Sequence, residues 1–133
     1  AAIVKGQVSL DQQLIDAPLL RYELANGERR VRVTKDGKPS KTDWNVVERF
    51  KTATLVHASP LSGRTHQIRV HGLSIGHPLV GDDKYGHNTD YKGPEARRLC
   101  LHAMRLDIPN YPSIEAPMPE DMQQVINELR KQK

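Results

Sequence analysis

The segment GRTHQIRVH, residues 63–71, predicts a loop that leads directly into a short helix. Thr65 has a side chain that can cap a helix N-terminus. Gly76 and Pro78 follow the segment, and both residue types commonly stand just beyond a helix C-terminus. We therefore expect a helix over residues 65–75.

Polar and charged side chains are concentrated at the start of this helix. Arg64, His66 and Gln67 fall in its expected first turn, and Arg69 follows on the next turn. Backbone N–H groups at a helix N-terminus favour anions. One guanidinium is suited to a phosphate, and the other to a carboxylate that a two-bond contact would keep ionised and oriented. A surface helix with solvated charges is the alternative that this pattern leaves open.

The residues before the segment show the alternation that is typical of β-strands. We expect a strand over residues 2–8, a loop through residues 16–18, and a second strand over residues 29–34. In the second strand the valines should face one side and the arginines the other. Two apolar-patterned runs, residues 43–50 and 54–59, predict an antiparallel hairpin.

The residues after the segment predict a loop, a strand and a final helix. Residues 79–98 are rich in Gly and Asp and indicate an ordered loop, whereas residues 99–108 indicate a strand. From Pro119 onward, apolar residues recur at helical spacing, with acidic residues in the first turn and basic residues in the last. The whole pattern predicts an α+β fold, a mixed and mainly antiparallel sheet flanked by short helices, with residues 1–133 forming one unit without an internal boundary.

Composition narrows the classes of protein that are possible. The formal charge of +4 and the pI near 9.3 are compatible with a polyanionic partner such as a nucleic acid. The single cysteine, Cys100, excludes an internal disulfide and a zinc site with several cysteines, and an unpaired thiol suits a reducing cytoplasm. No apolar run has the length needed to span a bilayer, so we expect no membrane partner and a cytoplasmic location.

Two other sets of residues carry groups that could be reactive, the histidines and Asp107. The chain has 6 histidines, but His66 and His71 are five positions apart and so do not share a helical face, and no carboxylate is suitably spaced. We therefore expect no metal site. Asp107 lies in an alternating stretch beside Pro109, and a solvent-facing strand residue is a better interpretation of it than a nucleophile.

Residues 62–71, SGRTHQIRVH, and residues 76–86, GHPLVGDDKYG, together resemble the RluA-type family of RNA pseudouridine synthases. The family pattern has Gly-Arg-Thr-His-Gln-Ile-Arg-Val-His, then Gly-His-Pro-Ile, then Gly-Asp-x-x-Tyr-Gly. A run of this length and order is highly specific. The resemblance extends over nearly the whole chain, with supporting matches at residues 2–6, 16–19, 37–42, 101–103 and 114–118.

The resemblance implies isomerisation of uridine to pseudouridine in ribosomal RNA of the large subunit. The bond between ribose and base breaks, the uracil turns in the site, and it reattaches through C5, with an essential Asp and no metal or organic cofactor. The target nucleotide has to be flipped out of its helix. Residue by residue, Arg69 matches the catalytic arginine that pairs with the Asp, and Ile68 matches the residue that lines the uracil pocket. Arg64, His66 and Gln67 belong to the same motif and are expected to contact the RNA or support the site.

The sequence departs from the family pattern at the catalytic Asp. The family motif His-Arg-Leu-Asp-x-x-Thr-Ser-Gly is absent, and Asp107 does not replace it because Met104 stands where the His would be. The family's active-site Tyr would fall immediately before Ala1. We therefore expect the C-terminal part of a catalytic domain that is inactive alone. A stand-alone RNA-binding module, using the basic strand at residues 29–34, is the alternative, and a purely structural domain is a third interpretation.

Overall fold

A computed structural model describes residues 1–61, 66–85, 91–94, 96, 98–103, 105–106 and 114–132. The described strands are β1 (Ala2–Lys5), β2 (Gln12–Asp16), β3 (Leu19–Glu23), β4 (Arg29–Val33), β5 (Lys41–Arg49), β6 (Ala53–Pro60), β7 (Arg105–Leu106) and β8 (Ile114–Glu115). The described helices are α1 (Gln67–Ser74) and α2 (Glu120–Arg130). Neither of these two helices is long and apolar enough to cross a bilayer.

The central sheet has four strands in the order β1-β6-β5-β2, and every neighbouring pair is antiparallel. Its middle is the β5–β6 hairpin, which confirms the hairpin expected from residues 43–59. The register shifts between Val46 and Glu48, where a β-bulge interrupts the ladder. Two smaller sheets, β3–β4 and β7–β8, are separate from the central one in the described residues.

One face of the central sheet is covered by α2. Side chains alternate between the two faces of a strand, so Ile3 of β1 points to the face opposite that of its neighbours Ala2 and Val4. Ile3 packs with Leu55 of β6 in one buried cluster with the apolar stripe of α2. The members of that stripe are Met122, Val125, Ile126 and Leu129. The C-terminal helix predicted from residue 119 onward is confirmed.

The opposite face of the sheet packs against α1 and the chain that follows it. Trp44 of β5 is fully buried there with Val56 and Leu79, and Ile68 of α1 packs against the same cluster. The central sheet therefore lies between two helices. This arrangement confirms the predicted α+β class, a mainly antiparallel sheet flanked by short helices.

The β3–β4 hairpin packs on the far side of α1. Leu19 and Val31 form a small buried cluster with Val70 of α1. Val31 is only 4% exposed, but Val33 is 43% exposed. The valine side of β4 is therefore covered only where α1 passes beneath it, and the rest of that strand borders an open groove.

The strand predictions were incomplete. β1 ends at Lys5 rather than at residue 8, and β2 and β3, which lie on either side of the loop expected at residues 16–18, were not predicted. β2 carries Leu14 with 52% exposure, and it is held by pairing with the distant β5 rather than by a local apolar pattern. Of the strand expected over residues 99–108, the described residues contain β7 and a single bridge between Leu101 and Ala2. Residues 104 and 107–108 lie outside the described residues.

The helix α1 begins later than the sequence predicted. His66 occupies the N-cap position with a left-handed backbone, φ 53°, and makes no side-chain capping bond. Thr65, the expected cap, lies outside the described residues. Gly76 follows the helix with φ 82°, as expected for a residue that ends it. Because α1 starts at Gln67, Arg69 lies within its first turn rather than one turn further along.

Candidate functional site

Arg69 and Asp82 form the centre of the candidate site. Nε of Arg69 donates to Oδ2 of Asp82 at 2.9 Å, and Nη2 donates to Oδ1 at 2.7 Å. The Asp82 side chain is fully buried, and that of Arg69 is 16% exposed. The same Oδ1 also accepts from the backbone N–H groups of Lys84 and Tyr85, each at 3.1 Å. The backbone of residues 84–85 therefore fixes the Asp82 carboxylate, and the carboxylate fixes the guanidinium of Arg69.

The ionisation of this pair follows from its hydrogen bonds. Burial acts to raise the pKa of Asp82, but the bonds from Arg69 and from the backbone N–H of Tyr85 outweigh it, so the pKa lies below its ordinary value. The same hydrogen bonds raise the pKa of Arg69 above its ordinary value. Both groups are therefore charged throughout the neutral range.

The guanidinium of Arg69 keeps one end available. The pair with Asp82 uses Nε and Nη2, and Nη1 has no acceptor among the described residues. The Tyr85 ring lies against the guanidinium, with Cζ of Arg69 5.1 Å from the ring centroid. An anion that approaches from the Nη1 end would meet a charged group whose orientation is already fixed.

Tyr85 connects this pair to His66 and to β4. The backbone N–H of Val31 donates to the Tyr85 hydroxyl at 3.0 Å, and the hydroxyl lies 2.8 Å from Nδ1 of His66. The hydroxyl can donate its own proton only to an unprotonated Nδ1. Burial lowers the pKa of His66, and the charges of Arg69 and Lys84 lower it further, so the neutral imidazole is favoured.

Gln67 and His71 face away from this centre and into the fold. Gln67 is 4% exposed, and its Nε2 donates to the Lys41 carbonyl at 2.7 Å and to the Thr42 hydroxyl at 3.0 Å. His71 is fully buried between the Thr42 hydroxyl, 2.7 Å from Nδ1, and the Ala17 carbonyl, 2.9 Å from Nε2. These bonds attach α1 to β5 and to the link between β2 and β3. His66 and His71 thus bond to different elements.

The remaining predicted site residues are distributed as follows. Ile68 is half-buried against the Trp44 cluster, on the sheet side of α1. Arg64 lies outside the described residues. The structure therefore brings together Arg69 and His66, and it does so through a residue that was not predicted as a site residue, Tyr85.

Sequence reasoning missed Asp82 and Tyr85 as partners of the arginine. Both lie in the Gly-Asp-x-x-Tyr-Gly part of the motif, so the signal that could have found them was present. The Arg69–Asp82 pair joins residues 13 positions apart, from a helix to a turn. No periodicity rule connects residues across such a change of direction, and only the fold shows the contact.

Comparison with known proteins identifies the family of the chain. A family model described as RNA pseudouridylate synthase matches residues 2–74, which is more than half of the chain. The chain belongs to the RNA pseudouridylate synthase family.

Individual relatives agree with this assignment. Ribosomal large subunit pseudouridine synthase C of Yersinia pestis is 45% identical over an alignment of 138 positions. The alignment covers 98% of this chain and 43% of the relative. The protein of the same name from Escherichia coli (strain K12) is 44% identical, and the alignment covers 97% of this chain and 44% of the relative. The solved structure of Human RNA Pseudouridylate Synthase Domain Containing 1 superposes with a TM-score of 0.73 at 27% identity, covering 98% of this chain and 64% of that one. The chain thus spans less than half the length of the curated relatives it matches.

Proposed function

We propose that the chain forms part of an RNA pseudouridine synthase, an isomerase that converts specific uridines of large-subunit ribosomal RNA to pseudouridine. Family membership and the names of the relatives support the reaction and the RNA. The observation that carries the proposal is the fixed guanidinium of Arg69, whose Nη1 end is left for a second anion. A buried free thiol at Cys100, 2% exposed, fits the reducing cytoplasm in which this reaction is proposed to take place.

The second anion is proposed to be the catalytic Asp carboxylate. Asp82 is unsuited to that role because its side chain is fully buried and its oxygens already accept four hydrogen bonds. The family motif that carries the catalytic Asp is absent from the 133 residues. We therefore propose that the chain supplies the arginine side of the site and that another segment supplies the carboxylate.

The reaction rearranges bonds within one nucleotide. The bond between ribose C1′ and base N1 breaks, a bond between C1′ and C5 forms, and the proton on C5 is lost while N1 gains one. No atom is added or removed overall, and the proposal includes no metal and no organic cofactor. Arg69 is proposed to keep the catalytic carboxylate ionised and oriented, which is a form of preorganised charge.

The other motif residues have narrower proposed roles. Ile68 is proposed to line the uracil pocket with the part of its side chain that the Trp44 cluster leaves uncovered. Neutral His66 lies beside the Arg69 centre and is proposed to contact RNA together with Arg64. Gln67 is left out of the RNA contacts because its amide is bonded inward to Lys41 and Thr42.

The proposal is tested with Arg69→Ala and Arg69→Lys in a longer protein that contains this chain and the catalytic Asp motif. Removing one preorganised donor from an active site typically lowers turnover by about 100-fold or more. We expect both variants to lose pseudouridine formation on ribosomal RNA by that order while RNA affinity changes little. Lysine keeps a charge against Asp82 but cannot form the two-bond contact, so Arg69→Lys separates loss of geometry from loss of folding.

The matched control is Arg130→Ala, which removes an arginine from a surface pair with Glu48. It should leave turnover unchanged. Near-normal turnover in Arg69→Lys would refute the role given to Arg69. The chain of residues 1–133 is expected to form no pseudouridine by itself, and turnover by this chain would contradict the proposal that the carboxylate comes from another segment.

A further inference from the structure

A groove of about 510 Å³ lies beside the Arg69 centre, between β4, α1 and the turn at residues 82–85. Its floor is formed by the buried cluster of Val31 and Val70 together with the Tyr85 ring. The exposed side chains of Val33 and Leu73, 43% and 40% exposed, continue this apolar surface to the margin. The floor is therefore an apolar and aromatic surface that is open to a ligand.

The rim of the groove is cationic. Arg30, Arg32 and Lys84 all line it. Glu28 offsets part of this charge, since it lies 3.6 Å from Arg30 Nη2 and 3.2 Å from Lys84 Nζ. Three cations against one carboxylate leave the rim positive, which favours an anionic ligand.

Two of the rim arginines are arranged in ways that favour a nucleotide. The side chains of Arg30 and Lys84 are 28% and 34% exposed. Both cations are therefore open to a ligand phosphate in the groove. The Arg32 guanidinium lies over the Tyr22 ring at 5.3 Å from the centroid, and stacked cation–aromatic surfaces of this kind are suited to nucleobases.

The groove and the Arg69 centre share one residue. Tyr85 lines the groove, while its ring also carries the Arg69 guanidinium and its hydroxyl bonds to Val31 and His66. A ligand in the groove would therefore lie next to whatever occupies the centre. A nucleic-acid strand could fill both at once, whereas a small anion could fill only one.

We propose that this groove binds an unpaired nucleotide of the RNA that flanks the target uridine. The base stacks on the Arg32 guanidinium that lies over Tyr22, and the phosphate is held by Arg30 and Lys84. The identity of the ligand as RNA rests on the proposed function. The groove adds a specific RNA subsite to the proposed function. It also adds the requirement that the nucleotide beside the target uridine be unpaired.

The first test compares Arg32→Gln with Arg29→Gln in the chain of residues 1–133. Arg29 lies on the same strand with a 64% exposed side chain, but it is outside the groove. Arg29→Gln therefore removes the same positive charge without altering the groove. Binding is measured by fluorescence anisotropy with a labelled single-stranded RNA of mixed sequence. We expect Arg32→Gln to bind about tenfold more weakly, because the base loses its stacking surface, and Arg29→Gln to stay within about twofold of the unaltered chain.

The second test concerns the base. Tyr22→Ala should weaken single-stranded RNA binding by about tenfold, because stacking on an aromatic ring contributes to each bound base. The same RNA annealed to its complement should compete poorly. Unchanged thermal midpoints in circular dichroism would show that the variants fold.

Several outcomes would overturn the subsite. These are absence of RNA binding by the unaltered chain, equal losses in Arg32→Gln and Arg29→Gln, or displacement of RNA by poly-glutamate at equal charge concentration, which would indicate an acidic protein ligand instead. Failure of the proposed function looks different. If a longer protein makes no pseudouridine but Arg32→Gln still weakens its RNA binding, the proposed function fails and the RNA subsite remains supported. If the longer protein is active, Arg32→Gln should raise KM and leave kcat unchanged.

Discussion

The side chain of Arg69 is held by that of Asp82 through two hydrogen bonds of 2.9 and 2.7 Å, and the carboxylate is completely buried beneath it. The arginine that the family pattern assigns to a catalytic carboxylate is thus already paired within the chain. A guanidinium with five N–H donors can serve both partners, because Asp82 takes one edge and leaves Nη1 for the other. We propose on this basis that Asp82 positions Arg69.

Asp82→Asn should strongly destabilise the fold. The substitution keeps the size of the side chain but removes the charge opposite a nearly buried guanidinium, and breaking a buried pair in this way costs about 3 kcal/mol or more. The free energy of unfolding in urea measures the loss. Asp11→Asn makes the same chemical change in a surface pair with Arg49, where Asp11 is 87% exposed, and should cost about 1 kcal/mol at most. Equal effects of the two substitutions would contradict the importance given to the buried pair.

The stability that depends on Asp82 should disappear in acid. Burial opposes ionisation, but the bonds from Arg69 and the backbone hold the pKa of Asp82 below the ordinary 3.8. Because the folded-state pKa is lowered, this stability is present above pH 3.8 and is lost as the pH falls through the folded-state value. Urea unfolding of the unaltered chain and of Asp82→Asn should therefore differ most near neutral pH and converge in acid. A difference that stays constant as the pH is lowered would contradict this account.

Tyr85→Phe should cost about 1–2 kcal/mol in the free energy of unfolding. The ring remains against Arg69, but the backbone N–H of Val31 and Nδ1 of His66 both lose their hydrogen-bond partner. Thermal unfolding followed by circular dichroism measures the change. Tyr22→Phe is the matched control, since the Tyr22 hydroxyl has no hydrogen bond in the part of the chain that the structure describes. A Tyr85→Phe variant as stable as the control would show that these bonds contribute nothing.

Gly81→Ala should be far more damaging than Gly27→Ala, although both glycines have a φ of 83°. A Cβ at Gly27 meets no atom within 4 Å, so only backbone strain of about 1 kcal/mol is expected. A Cβ at Gly81 would overlap the backbone carbonyl of Arg98, and relief of that overlap has to move the turn that carries Asp82. We expect a loss of about 3 kcal/mol or more in urea unfolding. Similar losses in the two variants would argue against the close approach at Gly81.

The elements that the sequence predicted well are those whose pattern is local. The hairpin formed by β5 and β6 has apolar-patterned runs on both sides of a short connection, and α2 combines helical spacing with charges suited to its dipole. Each of these elements would be recognised in isolation. The elements that were missed depend on distant partners. β2 is an edge strand with an exposed Leu14, and its place is set by pairing with β5 some thirty residues away.

The sequence by itself determined the family, through the order and spacing of residues 62–86, and with it the prediction that Arg69 is central to the site. It could not determine where the side chains around Arg69 point. His66 and Gln67 are neighbours in the chain, yet one joins Tyr85 at the site and the other is buried against β5. Tertiary structure alone decided that division, and it alone gave Arg69 the partner Asp82. A contact between a helix and a turn depends on how the whole chain folds back on itself, which no local pattern specifies.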